Sequence, residues 1–388
     1  MKLNQKGIII PLLCLFLCSC TNVNPPIESS IEESEFTYEP ILGINNLYTN
    51  PIHPLVGGSK KPTYIADPYV VKDDKDFYLY CTQTSVFMSQ EQSQFIRGPI
   101  FHSTDMVNWV YRGNVFAGYE PIWGSSGAGV WAPTVAKIGD NWVYYYSLST
   151  GGDSNPGIGV AVSSTPYGPW EHKGKLFKSD EIGVTNSIDP HVFIDDNKVY
   201  MVWGSYGGLI TLIELESDGL SLKGGIEYQK DNKVALAGFE VFNMDNYEAA
   251  FILKREGYYY LFLSTGTCCS GVQSTYHIVV ARSENVAGPY LDSLGRDLFG
   301  PKRGDPVIVP TRSSAMGVGH CCVMQDENNN YWMYYHGYNP GSNYQDWRVL
   351  YLDLLHWSNK TGMPVINQTK LASNEVEMPG PYIKSLEE

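Results

Sequence analysis

The stretch SIDPHVFIDDNKVYMVWGS, Ser187–Ser205, contains two apolar runs separated by a polar DDNK. Val199, Met201 and Trp203 alternate with Tyr200, Val202 and Gly204, the period-two pattern of a strand, and the polar break predicts a tight turn. Asp189 stands just before the first run, between Ile188 and Pro190. Taken alone, Asp-Pro is ordinary turn chemistry. The unit recurs, however: IADPYVVKDDKDFYLYCTQ from Ile65, VWAPTVAKIGDNWVYYYSLS from Val130, YEAAFILKREGYYYLFLSTG from Tyr247 and GHCCVMQDENNNYWMYYHG from Gly319. Each has a small or polar anchor, an apolar strand, a polar turn and a second, aromatic-rich strand. The anchors Asp67, Trp131, Asp189, Glu248 and His320 follow one another at intervals of 58 to 72 residues.

Outer halves repeat as well. GPIFHSTDMVNWVYRG, GIGVAVSSTPYGPWEHKG and IVVARSENVAGPYLDS each read as a strand, a Ser-containing turn and an aromatic segment. Five such units of four strands predict an all-β chain, a five-bladed β-propeller with four antiparallel strands per blade. In a propeller the innermost strand of each blade starts near the central channel, so the five anchors are expected at one mouth. Three are carboxylates, and three carboxylates recurring in a radial repeat predict a site rather than three turns.

Composition agrees. The 388 residues include 38 Gly and 28 Tyr, which favour strands and turns over long helices. A net charge of −14 without any Lys/Arg block argues against nucleic acid and polyanionic substrates. A neutral ligand fits better, and the aromatics suit sugar faces as well as a core.

Residues 1–19 read as a signal peptide: Lys2 and Lys6 precede GIIIPLLCLFLC, which is too short to span a bilayer. The closing LCSC resembles the bacterial lipoprotein box, which implies lipidation of Cys20. The expectation is an exported, membrane-anchored lipoprotein, on the periplasmic side of the outer membrane or on the cell surface, touching membrane only through its lipid. Residues 20–48 are expected to form a polar tether and 49–388 a single catalytic propeller. The remaining cysteines, Cys81 and the vicinal pairs Cys268–Cys269 and Cys321–Cys322, lack zinc-site spacing. Buried free thiols are the expectation, with a bridge between the two pairs as the alternative.

The anchors, together with NPIHP, HSTDMVNW, WAPTV, EAAFILKREGYYYLF and GVGHCCV, resemble glycoside hydrolase family 43, over roughly residues 50–370. TGTCCSGVQSTYHIVVARSENVAGPY looks most like its endo-arabinanase members. The resemblance implies Asp67 as general base, Glu248 as general acid, and Asp189 as the residue that raises and orients the acid. Such inversion needs two carboxyls with room for water between them, and an acid that stays protonated near neutrality. The resemblance also implies calcium near His320 and no organic cofactor. Trp131 and Arg348 are expected to touch substrate. The implied activity is endo-cleavage of α-1,5-linked L-arabinofuranose in arabinan, a neutral polysaccharide of plant cell walls. The alternatives are an exo-acting α-L-arabinofuranosidase or β-xylosidase, and a sugar-binding propeller lipoprotein without activity. The chain departs from the family pattern at Thr134, at Ala249–Ala250 and at Cys321–Cys322.

Overall fold

A computed structural model describes residues 36–388 apart from 37–38, 58–62, 90–91, 240, 242, 244, 344 and 375–376. Cys20 and the signal peptide lie outside the described residues. Five four-stranded antiparallel sheets follow one another along the chain as the five blades of a propeller. Their innermost strands are Tyr69–Asp73, Gly129–Ile138, His191–Asp195, Tyr247–Arg255 and Met316–Gln325.

Strand composition follows from position in the blade. The second strand of blade 2, Asn141–Ser149, is buried at every residue but its first, because neighbouring blades cover both faces. Its side chains alternate. Trp142, Tyr144 and Tyr146 join Tyr78, Tyr80 and Ile100 of blade 1, while Val143 and Tyr145 join Val192, Met201 and Trp203 of blade 3. The aromatic-rich second strand of each unit is thus an inter-blade filler. Each such ring contributes roughly 1.5–3 kcal/mol by leaving water.

The segment before blade 1 bridges blades 5 and 1. The Ile52 and Ile65 N–H groups donate to the carbonyls of Leu350 and Arg348 in blade 5, at 2.8 and 2.9 Å. Leu55 pairs with Trp109 and Tyr111 at the outer edge of blade 1. Residues 43–48, expected to belong to the polar tether of 20–48, are instead part of the folded body. Gly43–Tyr48 is a strand paired with Met378–Gly380, and Tyr48 is buried against Trp332. Gly43, Asn46 and Tyr48 face inward and anchor it, a pattern hidden in a polar-looking segment.

The cysteine expectation holds for one vicinal pair and fails for the other. Cys81, Cys321 and Cys322 are buried free thiols. Cys321 and Cys322 are consecutive in a strand, so their side chains leave on opposite faces and cannot bond. Cys268 and Cys269 form a disulfide with each other. They sit in a loop, with Cys269 in the left-handed region at φ 64°, which lets adjacent side chains meet.

Candidate active site

One residue in each blade takes the left-handed backbone region at the inner end of its first strand: Asp67, Ala132, Asp189, Ala249 and His320, with φ between 42° and 60°. In blades 2, 4 and 5 this coincides with a bulge, where the register slips between Trp131 and Thr134, Glu248 and Phe251, and Gly319 and Cys322. Non-glycine residues pay about 1–2 kcal/mol for this conformation, so something must hold it.

A ring of hydrogen bonds between blades does so. In four of the five blades the backbone N–H of this residue donates to a side chain of the preceding blade. Ala132 donates to Thr82 Oγ1 at 2.8 Å, Asp189 to Ser147 Oγ at 2.9 Å, His320 to Ser264 Oγ at 2.9 Å and Asp67 to His336 Nδ1 at 3.2 Å. The junction of blades 3 and 4 breaks the pattern. There Ser205 turns its hydroxyl to Glu248 Oε2 at 2.7 Å, and the Ala249 N–H goes instead to Asp189 Oδ2 at 3.2 Å.

The five sequence anchors are therefore not equivalent. Asp67, Asp189 and His320 occupy the left-handed position, whereas Trp131 and Glu248 precede it by one residue. The bulge rather than the repeat decides which side chain enters the channel. Asp67, Trp131, Asp189, Glu248, His320 and Arg348 nevertheless all line one pocket of about 210 Å³, with Thr82, Ile188, Tyr276 and the Cys268–Cys269 disulfide.

The three carboxyls lie in opposed environments. Burial alone would push Asp67 up, but the Arg348 guanidinium outweighs it and, with His320 and His336 beside the carboxylate, holds Asp67 well below the usual carboxylate range. Arg348 Nη1 is 3.4 Å, and each imidazole Nδ1 3.3 Å, from Asp67 Oδ1. Thr82 donates to Oδ2 at 2.5 Å. Burial lowers both histidines, His336 to about 4. Asp189 is pushed well above its usual range, first by burial and then by Glu248 and Asp67. Glu248 is also raised by burial, against hydrogen bonds from Tyr276 Oη at 2.6 Å and Ser205 Oγ at 2.7 Å. Repulsion is mutual, so Asp189 and Glu248 titrate as a pair that keeps a proton to higher pH. The pocket thus offers one ionised carboxylate opposed to a proton-bearing pair.

The family model for glycosyl hydrolases family 43 matches residues 57–364. This chain belongs to glycosyl hydrolase family 43. As a member of that family it is a glycoside hydrolase. It is 32% identical over 332 residues to the extracellular exo-α-(1→5)-L-arabinofuranosidase ArbA of Cellvibrio japonicus, covering 81% of this chain and 89% of that one. It is 29% identical over 245 residues to the extracellular endo-α-(1→5)-L-arabinanase 1 of Bacillus subtilis, covering 60% and 69%. The solved α-L-arabinanase of Cellvibrio cellulosa, complexed with arabinohexaose, matches at TM-score 0.67 and 30% identity, over 79% of this chain and 96% of that one.

The calcium expected near His320 is a poor match to the donors present. Calcium takes six to eight oxygen ligands. Here the Asp67 carboxylate is already engaged by Arg348, Thr82 and two imidazoles. Among the described residues no group of three or more His, Cys, Asp or Glu side chains is arranged to hold a metal ion. The side chains do not specify a cation there, and no chemical step is routed through one.

Tyr276, Ser205 and Thr82 are site residues the sequence reading passed over. Ser205 and Thr82 carried a signal: CTQ, SLS, WGS and LST close the second strand in four of the five units, each with a hydroxyl. Tyr276 carried none, since it arrives from a loop outside the repeat.

Proposed function

We propose that this family 43 hydrolase cleaves α-1,5-linked L-arabinofuranosyl bonds of arabinan with inversion, by endo action. The observation that carries the reading is the electrostatic split in the pocket. Asp67, held ionised, serves as general base and takes a proton from the attacking water. The raised Glu248 serves as general acid and protonates the departing oxygen. Asp189 keeps the acid charged with its proton through like-charge repulsion and burial. Hydrolysis of this kind uses water and no organic cofactor. Trp131 offers an aromatic face to a sugar ring, and Arg348 tunes Asp67 from the pocket wall. His320 acts on the base and not as a metal ligand. The substrate class rests on the names of the relatives, which include arabinanases of both modes.

A second reading, exo release from chain ends, is favoured by the exo activity of the Cellvibrio japonicus relative. Product analysis on linear arabinan separates them. Endo action gives a ladder of oligosaccharides at low conversion, and exo action gives one short product throughout. Inversion requires the new reducing end to appear first as the β-anomer by proton NMR. Initial α-anomer would remove the role given to Asp67.

Export is supported by the extracellular relatives. We further propose that Cys20 carries the lipid that holds the enzyme at the membrane, through LCSC. Cys20→Ala is expected to move the enzyme from the membrane fraction to the soluble one and to abolish acyl labelling. A variant that stays membrane-bound and labelled would rule this anchor out.

A further inference from the structure

The Cys268–Cys269 disulfide lines the same pocket as Asp67, Asp189 and Glu248. Trp131, Ile188, the Tyr276 ring and this disulfide supply the pocket's apolar surface; the other lining groups are carboxyls, an imidazole, a guanidinium and a hydroxyl. A disulfide between adjacent residues closes a small ring with the peptide between them. Such a ring is compact, polarisable and a poor hydrogen-bonding partner, so it suits the C–H face of a sugar and not its hydroxyls.

The loop that carries it is built to hold it still. Thr267 and Thr275 clamp its base, with Thr275 and Tyr276 N–H groups donating to the Thr267 carbonyl at 3.1 Å and the two threonine hydroxyls 2.8 Å apart. Ser270 N–H donates to Ser274 Oγ at 2.9 Å across the turn. Gly271, at φ 54°, passes so close to Asp346 that a Cβ would sit 2.3 Å from its carboxylate. The same loop ends at Tyr276, whose hydroxyl binds Glu248 Oε1. The loop that carries the disulfide is thus tied to the acid through the Tyr276 hydroxyl.

We infer that the Cys268–Cys269 disulfide is a sugar-binding platform, which seats the arabinofuranosyl ring on the leaving-group side, where Glu248 delivers its proton. The inference rests on the hydrolase reading above and adds a recognition element to it. It also ties full activity to a compartment where the disulfide persists. The other three thiols among the described residues, Cys81, Cys321 and Cys322, are buried and already free, so mild reduction acts there on this bond alone.

The test uses the Glu248→Gln enzyme, which binds without turnover, and linear arabinohexaose in calorimetry. Replacing both cysteines by serine is expected to weaken binding roughly tenfold, the worth of one lost ring contact. Reduction of the native-cysteine protein with a phosphine is expected to do the same, and reoxidation to restore it. The native protein should also be lighter than its reduced form by the mass of two hydrogens. Should the serine variant melt early, the reversible reduction decides alone. Binding changed less than about twofold in both arms, or free thiols at both positions in the exported protein, would overturn the platform. Absence of arabinohexaose binding in the Glu248→Gln enzyme itself, with the disulfide intact, would count against the arabinan reading. In that event the two arms are run with whichever pentose oligosaccharide the enzyme cleaves.

Discussion

Asp67→Asn is expected to abolish hydrolysis of every substrate, whereas Glu248→Gln is expected to abolish it only where the leaving group is poor. General acid or base assistance is worth roughly 10²–10⁴-fold. On arabinan, whose leaving group is an alkoxide without help, both variants should lose at least that much. On an aryl α-L-arabinofuranoside with an acidic phenol, the phenolate departs unaided. There the Glu248 variant should retain activity within about tenfold of the parent, while the Asp67 variant stays inactive because water still lacks its base. The contrast follows from the pocket: Asp67 is ringed by Arg348, His320 and His336, and Glu248 is not. Steady-state rates on both substrates are the measurement. Equal losses on the aryl substrate would exchange or cancel the two roles.

Asp189→Asn is expected to move the alkaline limb of the pH–rate profile down by about one unit or more, with a large loss of rate at neutral pH. The sign comes from the pair. A carboxyl whose pKa is raised keeps its proton to higher pH, and the alkaline limb marks the loss of that proton. An amide in place of the Asp189 carboxyl carries no charge, so Glu248 loses its repulsive neighbour and deprotonates earlier. The amide oxygen can still accept the Ala249 N–H, which preserves the backbone. Tyr276→Phe should act in the opposite direction. The Tyr276 hydroxyl lowers the Glu248 pKa, so its removal shifts the limb upward. A structural disturbance would shift both variants alike; opposite shifts on one titration are what the electrostatic reading requires. Acid behaviour should differ: Asp67 is held so low that the base remains ionised throughout the ordinary carboxylate range.

The architecture was legible because its cause is local. Strand alternation, polar turns and the aromatic filler of each second strand are set by burial of each strand between two neighbours. That pattern repeats every blade, so the five blades and the convergence of Asp67, Asp189 and Glu248 could be read from spacing alone. The hydroxyls of Thr82, Ser147, Ser205 and Ser264 were equally visible, but their partners were not. Each binds a backbone N–H of the next blade, or in one case Glu248, more than 40 residues away.

Three features were decided only in three dimensions. The one-residue offset that sets Glu248 and Trp131 apart from Asp67, Asp189 and His320 arises from bulges and left-handed residues, which pairing with a second strand creates. The division of protonation states depends on Arg348 and the two histidines of blade 5 folding onto Asp67 of blade 1, the closure of the ring. The bond between Cys268 and Cys269 depends on a loop conformation; the same dipeptide at Cys321–Cys322, held in a strand, stays reduced. The blades, and the residues that meet at their centre, follow from the local residue pattern. Tertiary structure decided which side chain faces which, because backbone hydrogen bonding between strands and between blades, not residue identity, sets those directions.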